Sequence, residues 1–479
     1  MNRWIGLLIA VLLSVSAVFP SLAGAEKART IADESIYDLL VDRFNNGSGQ
    51  NDADADAQNP QVFNGGDFAG VVDRLQHILD MGFTVISLGP VFQTATYDGN
   101  EVLDYTELEP HFGTAEEFNS MIEAIHANDL KVIADVPLNE VSANHVWVDE
   151  LTTLPAGEGT INWDYADTAV QQAIKDAVIE FMTTYDLDGI RLTKITEIDT
   201  AYLNELIQAI KEVNPEAYVL ANEETEAEFD LKPNAEEMNA LRSAFVSFNA
   251  DTSPIDIFSS ENRTQLIQLD DLTGPRYTFD IVEARMFPPT RWKLAAAALF
   301  TMPGIPMVPY GTEIAVNGET APASHPLMNF KTDMELKDFI ADLNSLRNKS
   351  EALRTGEFEM LHNEKGFVVY KISSPNETWI VALNNSPETA NTAIPEDVIG
   401  DKKVLRGLLD GDLVRQSDDG LFRVVLEREM VEIYFAGEDK GFNTPYLIAS
   451  ILVYVLFLGF LFSVWRKGRQ KKKEEGLQN

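Results

Sequence analysis

The stretch DLDGIRLTKITEID, residues 186–199, has the pattern of a short buried strand that ends in a polar loop. Its centre, Gly-Ile-Arg-Leu, is a short segment with apolar Ile190 and Leu192 that lies between turn signals, which is typical of a buried strand. Arg191 and Thr193 are two residues apart, so both side chains can face the same side of that strand. The stretch therefore predicts a buried strand whose end carries polar groups.

Strands and helices alternate on both sides of this stretch. KVIADVPLN (131–139) is strand-like, TAVQQAIKDAVIEFMTTYD (168–186) and TAYLNELIQAIKEVNP (200–215) have helical spacing, and AYVLANEE (217–224) is again strand-like. Such alternation over residues 31–350 predicts an α/β fold with parallel strands, either a doubly wound sheet or a (β/α)8 barrel. From about residue 355, short alternating segments separated by turn residues predict a small antiparallel β domain.

The two ends of the chain indicate its compartment. Residues 1–25 carry Arg3, an apolar run and an Ala23-Gly24-Ala25 site, which is the pattern of a cleaved signal peptide. Residues 445–465 are uncharged and long enough to cross a bilayer. The basic tail 466–479 follows at once and predicts a cytoplasmic C-terminus. We therefore expect a single-pass membrane protein with an extracellular N-terminal ectodomain.

Composition excludes some classes of partner. The chain of 479 residues has 37 Lys and Arg against 76 Asp and Glu, a net charge of −39. This surface repels phosphate backbones and argues against nucleic-acid binding. The chain has no cysteine, which excludes disulfides and thiolate metal sites.

Several motifs, taken in chain order, resemble the α-amylase family, glycoside hydrolase family 13. They are IYDLLVDRFNNG (36–47), FNGGDFAGVVDRLQHILDMGFTVISLGPVF (63–92), YDGNEVLDYTELEPHFGTAEEF (97–118), DVPLNE (135–140), GIRLTKITE (189–197) and FTMPGIPMVPYGTEI (300–314). The resemblance implies a TIM barrel over residues 26–350, a short domain B insertion at 136–164 and a C-terminal β domain at 351–438. It also implies a substrate of the α-1,4-glucan or maltooligosaccharide class.

The family's site residues carry over only in part. Tyr97 matches the tyrosine that stacks on the sugar ring, Asp135 and Arg191 are present, and Glu223 stands where the resemblance places the general acid. Thr193 occupies the position of the carboxylate nucleophile. The other replacements are Asp98 and Glu140 for two histidines, Thr196 and Glu197 for a Lys-His pair, and Ile281-Val282-Glu283 for Asn-His-Asp.

These replacements leave two readings of the site open. A threonine hydroxyl needs a nearby base to attack carbon, so Thr193 is a poor nucleophile. Lys194 could lower the pKa of a neighbouring carboxylate or hold substrate hydroxyls. With Glu223 as acid, and Glu140, Glu224 or Glu283 holding a water, inverting hydrolysis stays open and requires carboxyls roughly 6.5–9.5 Å apart. The alternative is a catalytically inactive descendant that binds glucan or a membrane-protein partner.

The resemblance also implies calcium. Asn46, Ser48, Asn51, Asp52 and Asp67 would supply hard oxygen ligands, together with the Gly65 carbonyl. A second calcium position, shared with domain B, would include Asn139. Thr160 stands there in place of an expected aspartate, so we expect that second position to be degraded.

Overall fold

The computed structural model describes residues 29–439 and 444–475. Its largest sheet is parallel, with seven strands in the spatial order β10-β9-β5-β2-β1-β12-β11. Single parallel bridges from Leu220 to Leu231 and from Pro233 to Leu266 join the two edges, so that residues 231–233 stand in for an eighth strand. The strands of this TIM-barrel-like sheet are β1 Ile36–Asp38, β2 Val85–Pro90, β5 Lys131–Pro137, β9 Gly189–Thr193, β10 Tyr218–Ala221, β11 Leu266–Ile267 and β12 Ile305–Pro309.

Helices cover the outside of the sheet, and several of them begin at side-chain caps. Thr114 and Glu117 form a capping box at the start of α4, while Asp167 and Asp199 accept backbone hydrogen bonds at the starts of α5 and α6. These caps fix where each helix begins after the preceding strand and loop, as the alternating pattern predicts. The helices are α1 Val41–Phe44, α2 Phe68–Asp73, α3 Leu75–Asp80, α4 Ala115–His126, α5 Thr168–Thr184, α6 Thr200–Val213, α7 Ala235–Phe245, α8 Tyr277–Glu283, α9 Pro288–Thr301, α10 Glu335–Lys349 and α11 Glu351–Thr355.

Strand β9 lies between β5 and β10 in the sheet. All five of its residues are buried, as the apolar stretch predicts. Gly189 begins the strand, and a Cβ there would lie 2.2 Å from the Tyr218 carbonyl oxygen, so only glycine lets β9 and β10 approach this closely. Arg191 and Thr193 are the third and fifth residues of β9, so they lie toward the carboxyl end of the barrel.

Two smaller units complete the chain. Domain B contains a three-stranded sheet of β6 Val141–Ser142, β7 Thr153–Pro155 and β8 Thr160–Trp163, and a separate ribbon pairs β3 Phe92–Thr94 with β4 Val102–Leu108. The C-terminal domain is antiparallel, with a six-stranded sheet and a two-stranded one. Its elements are β13 Glu357–Glu364, β14 Phe367–Ser373, β15 Thr378–Asn384, β16 Ala390–Pro395, α12 Glu396–Ile399, β17 Lys403–Gly407, β18 Leu413–Arg415, β19 Leu421–Leu426 and β20 Val431–Glu438.

The predicted barrel-like parallel sheet and the antiparallel C-terminal domain are thus confirmed. One helix, α13 (Thr444–Glu475), contains a stretch from Leu447 to Arg469 that is long and apolar enough to cross a membrane. Crossing itself stays a prediction. The signal-peptide prediction for residues 1–25 lies outside the described residues.

Candidate functional site

The carboxyl ends of the barrel strands surround a small polar cavity. Its volume is about 70 Å³, well below the roughly 300–1,000 Å³ typical of pockets that hold small-molecule ligands. Active sites of such barrels form at this end, because the loops after the strands meet there. The polar side chains that line the cavity are Asp38, Asp98, Asn100, Asp135, Arg191, Thr193, Asn222, Gln268, Asp271, Thr273 and His325.

Arg191 is clamped between two aspartates at the base of the cavity. Its Nε and Nη2 donate to Asp135 at 2.7 and 2.6 Å, and its Nη1 and Nη2 donate to Asp38 at 3.0 and 2.9 Å. All three side chains are buried. Burial raises the pKa of Asp135 to about 6, and the Arg191 charge opposes that rise. Burial alone would lower the pKa of Arg191, but the two carboxylates outweigh it and raise that pKa.

Thr193 and Asn222 carry polar atoms that face this cavity without a partner. Thr193 is only 3% exposed, and its Oγ1 forms no hydrogen bond within the described structure. The same holds for Oδ1 of Asn222, the first residue after β10. Because Thr193 Oγ1 has no base within hydrogen-bond distance, nothing there is placed to remove its proton.

Glu223 does not line the cavity, and the prediction that it is the general acid is corrected on this point. Its Oε1 accepts from the Lys194 backbone N–H at 3.1 Å, and its Oε2 accepts from the Ile195 N–H at 2.9 Å and the Thr196 hydroxyl at 2.6 Å. The carboxylate therefore fixes the loop after β9. Asn222, one residue earlier, takes the cavity-facing position.

Lys194 and Glu140 also form a structural contact rather than lining the cavity. Lys194 Nζ donates to Glu140 Oε2 at 2.6 Å, and this ion pair is partly exposed. Both residues have positive φ angles, 58° and 55°, a conformation that is uncommon for residues other than glycine. The pair joins the loop after β5 to the loop after β9. This structural role explains both side chains, and Glu140 does not need a substrate-binding role.

Tyr97 is not available for stacking on a sugar ring, so that prediction is corrected as well. It is 7% exposed, and the Arg43 guanidinium lies 3.7 Å from its ring centre. Its hydroxyl lies 3.1 Å from Nδ1 of His325, whose Nε2 lies 2.7 Å from the Leu272 carbonyl oxygen. Since a carbonyl only accepts, Nε2 carries the proton of His325 and Nδ1 accepts from Tyr97. Both ring nitrogens are thus occupied.

Neither Glu283 nor Glu224 lines the cavity, so the predictions that placed them beside the substrate are corrected. Glu283 ends α8 and lines a separate open cleft of about 890 Å³ beside α7. Glu224 accepts a hydrogen bond from the Ala235 backbone N–H. The residues that follow the seventh barrel strand are instead Gln268 and Asp271, which do line the cavity. Strand β11 has only two residues, so no alternating pattern revealed it.

Comparison with known proteins assigns the family. Residues 38–166 match the model of the α-amylase catalytic domain, and residues 356–434 match that of the α-amylase C-terminal domain. An α-amylase structure from Anoxybacillus is 30% identical, with a TM-score of 0.81, and the match covers 86% of this chain and 100% of that one. The chain belongs to the α-amylase family.

Other relatives support the same family assignment. The structure of an α-amylase from Geobacillus thermoleovorans, complexed with acarbose, is 30% identical with a TM-score of 0.80 and covers 86% of this chain and all of that one. A cyclomaltodextrinase of Geobacillus thermopakistaniensis is 26% identical over 437 residues, covering 80% of this chain and 73% of the relative. The catalytic-domain match ends before Thr193 and Asn222, which line the cavity.

The loop predicted to bind calcium in this α-amylase family member does gather oxygen atoms. A Cβ on Gly65 would lie 2.6 Å from Asp52 Oδ1 and 2.7 Å from Asn46 Nδ2, so these three residues adjoin. Oδ1 of Asp52 and Oδ1 of Asn51 are buried and have no hydrogen-bond partner among the described residues. Unpartnered hard oxygens of this kind fit a calcium ion.

Other predicted ligands are already engaged. Both oxygens of Asp67 accept backbone N–H groups, from Gly47, Ser48 and Gly70, so Asp67 acts as the cap of α2. Ser48 Oγ lies 3.4 Å from the Gln50 N–H. Asn139 Oδ1 accepts from the Trp163 N–H at 3.0 Å and ties domain B to β5. The structural role of Asn139 therefore explains its position without a metal. The described residues contain no group of three or more His, Asp or Glu side chains arranged to hold a metal ion.

Proposed function

We propose that this protein is a membrane-anchored, cell-surface α-amylase homologue that binds α-glucans or maltooligosaccharides and does not hydrolyse them by the retaining mechanism. The family relatives motivate the ligand class, since one is named a cyclomaltodextrinase and another is an α-amylase complexed with acarbose. Helix α13 motivates the anchor, because Leu447–Arg469 has the length and hydropathy of a membrane span.

The single observation that carries the loss of hydrolysis is the engagement of every carboxylate in the cavity. A retaining glycosidase needs two carboxyls about 5–5.5 Å apart, one of them free to attack and one free to donate a proton. Asp38 and Asp135 hold Arg191, while Asp98 and Asp271 accept hydrogen bonds within their own turns. The positions that face the cavity from β9 and β10 are a threonine and an asparagine.

A larger groove on the same face of the barrel suits a glucan better than the cavity does. It lies between domain B and α6, with a volume of about 550 Å³, which is in the usual range for ligand sites. The amide of Asn162, the carboxylates of Asp164 and Glu197, and the half-buried Tyr165 ring line it. Carboxylate and amide groups accept and donate hydrogen bonds to hydroxyls, and a tyrosine ring offers apolar area to a sugar face.

Calcium binding at the loop of Asn46, Asn51, Asp52 and Gly65 is part of this proposal. The unpartnered oxygens of Asn51 and Asp52 support it. Such an ion would hold the loop through these side chains and the Gly65 carbonyl. It has no step in any reaction proposed here, since the loop residues do not line the barrel cavity.

Hydrolysis by an altered route is the second candidate. Asp135 favours it, because a carboxyl group whose pKa is raised to about 6 can serve as a general acid near neutral pH. Against it, both Asp135 oxygens accept from Arg191, which holds the carboxylate in its ionised form.

One experiment separates the two candidates. Purified full-length protein in detergent is titrated with maltoheptaose by calorimetry, and the same sample is incubated with maltoheptaose and calcium for chromatographic product detection. We expect binding without new products, and binding weakened at least about tenfold in Glu197→Ala, since a hydrogen bond to a charged group contributes roughly 1.5–3 kcal/mol. Glu364→Ala, which changes an exposed glutamate of the C-terminal domain, is the matched control. Hydrolysis would support the second candidate, and absence of binding would refute the first.

A further inference from the structure

Two arginines are buried together at the opposite end of the barrel from the cavity. Arg347, on α10, is 1% exposed, and Arg263, before β11, is 8% exposed. Nη1 of each donates to the same oxygen, the Leu353 carbonyl, at 2.8 and 3.2 Å. The two Nη1 atoms are therefore at most about 6 Å apart. Two positive side chains in such proximity repel each other unless something compensates their charge.

Helix ends account for part of this arrangement. The Leu353 and Arg354 carbonyls end α11, and Arg263 caps both of them, while Arg347 Nη2 donates to the Gly304 carbonyl at 3.1 Å. Cations are favourable at helix C-termini because they satisfy the last carbonyls and the helix dipole. These contacts do not use all the donors. Nε and Nη2 of Arg263 and Nε of Arg347 are buried and have no hydrogen-bond partner among the described residues.

Neighbouring carboxylates do not neutralise the pair. Asp33 bonds Arg354 at 2.8 Å, and Glu34 lies 3.6 Å from Arg29, so each of these acids faces another arginine. Within the described ranges, no carboxylate forms an ion pair with Arg263 or Arg347. Burial lowers the pKa of Arg347 to about 9 and that of Arg263 to about 10, so both stay positive at neutral pH. This excess of positive charge stands out in a chain with a net charge of −39.

We propose that Arg263 and Arg347 form a binding site for a small inorganic anion of about the size of chloride. An anion would accept the three unpartnered N–H groups and compensate two guanidinium charges with which no carboxylate of the described residues forms an ion pair. Because both side chains are buried, the proposed ligand is a single small ion rather than a molecule with an organic body. The site is independent of the proposed glucan function, because it lies at the other end of the strands.

The test compares anions at constant ionic strength on the full-length protein in detergent. ³⁵Cl line width is measured by NMR during a protein titration, and the thermal midpoint is measured in sodium chloride and in sodium gluconate. Chloride is expected to broaden the signal and to raise the midpoint by roughly 2–4 °C over gluconate, since a ligand that binds only the folded state stabilises it. Bromide should compete for the broadening.

Variants decide where the anion binds. Arg263→Gln removes one charge and should abolish both the broadening and the chloride-dependent shift, whereas Arg428→Gln, which changes an exposed arginine, should leave both unchanged. If Arg263→Gln fails to fold, the parent protein still answers the question through bromide competition. Equal midpoints in chloride and gluconate together with no broadening, or broadening that persists in folded Arg263→Gln, would overturn the proposal. Displacement of chloride by phosphate with a larger midpoint shift would identify an oxyanion at the same site.

Discussion

Replacing Arg191 by methionine tests how the barrel mouth is held together. Arg191 makes four charge-assisted hydrogen bonds of 2.6–3.0 Å to Asp38 and Asp135, and all three residues are nearly inaccessible to solvent. Methionine keeps much of the volume but leaves two carboxylates buried and facing each other. Removing one partner of a buried ion pair typically costs about 3–5 kcal/mol, because the remaining charge stays desolvated.

We expect the free energy of unfolding to fall by about 4 kcal/mol at pH 7, measured by urea denaturation. The loss should shrink as pH falls toward 5, because protonation of one carboxylate removes the repulsion. The triple variant, with Asp38→Asn and Asp135→Asn added, should recover about 2 kcal/mol, since no uncompensated charge remains. A loss below about 1 kcal/mol in the single variant, or no recovery in the triple variant, would refute this account of the clamp.

Three further predictions concern the same face of the barrel, domain B and the calcium loop. Glu223→Gln should speed amide hydrogen exchange in the loop after β9 and lower the free energy of unfolding by about 1–3 kcal/mol. The reason is that glutamine supplies one acceptor oxygen where the glutamate uses two. Unchanged exchange would contradict the structural role of Glu223. His145 is 3% exposed, and burial lowers its pKa to about 4, so stability should fall by at most about 3 kcal/mol as pH drops from about 6.5 to 4. His145→Phe should flatten that dependence in thermal unfolding, and an unaltered pH profile would disprove it. Calcium should raise the thermal midpoint of the parent but not of Asp52→Asn, and equal shifts would argue against the loop as a calcium site.

The barrel could be predicted because its central strands are apolar and bounded by capped helices. β9 follows its sequence pattern, and Arg191 and Thr193 share the cavity as their spacing of two requires. Asp135 is placed for the same reason, at the end of β5. The cavity-lining residues at the ends of the longer strands can therefore be predicted from the sequence.

The wrong site predictions fall where a strand is short, or where a shift of one residue changes the side of the strand that a side chain faces. Asn222 and Glu223 are adjacent, and adjacent side chains point to opposite sides, so a shift of one residue exchanged a loop anchor for a cavity residue. Strand β11 has only two residues, so no alternating pattern indicates Gln268 and Asp271, and the family resemblance implies Glu283 of α8 in their place. Asp38, the last residue of β1, carried a signal of its own as a charged residue at a strand end.

The proposed absence of retaining hydrolysis depends on Thr193 and Asn222, the residues that face the cavity from the ends of β9 and β10. The most direct measurement compares the parent protein with the Thr193→Asp and Asn222→Glu double variant on maltoheptaose, with the anomer of each product determined by NMR. We expect no turnover by the parent, and any cleavage that the variant gains should retain the anomeric configuration, because two carboxyls would then face the cavity. Cleavage of maltoheptaose by the parent with retention of configuration would contradict the account.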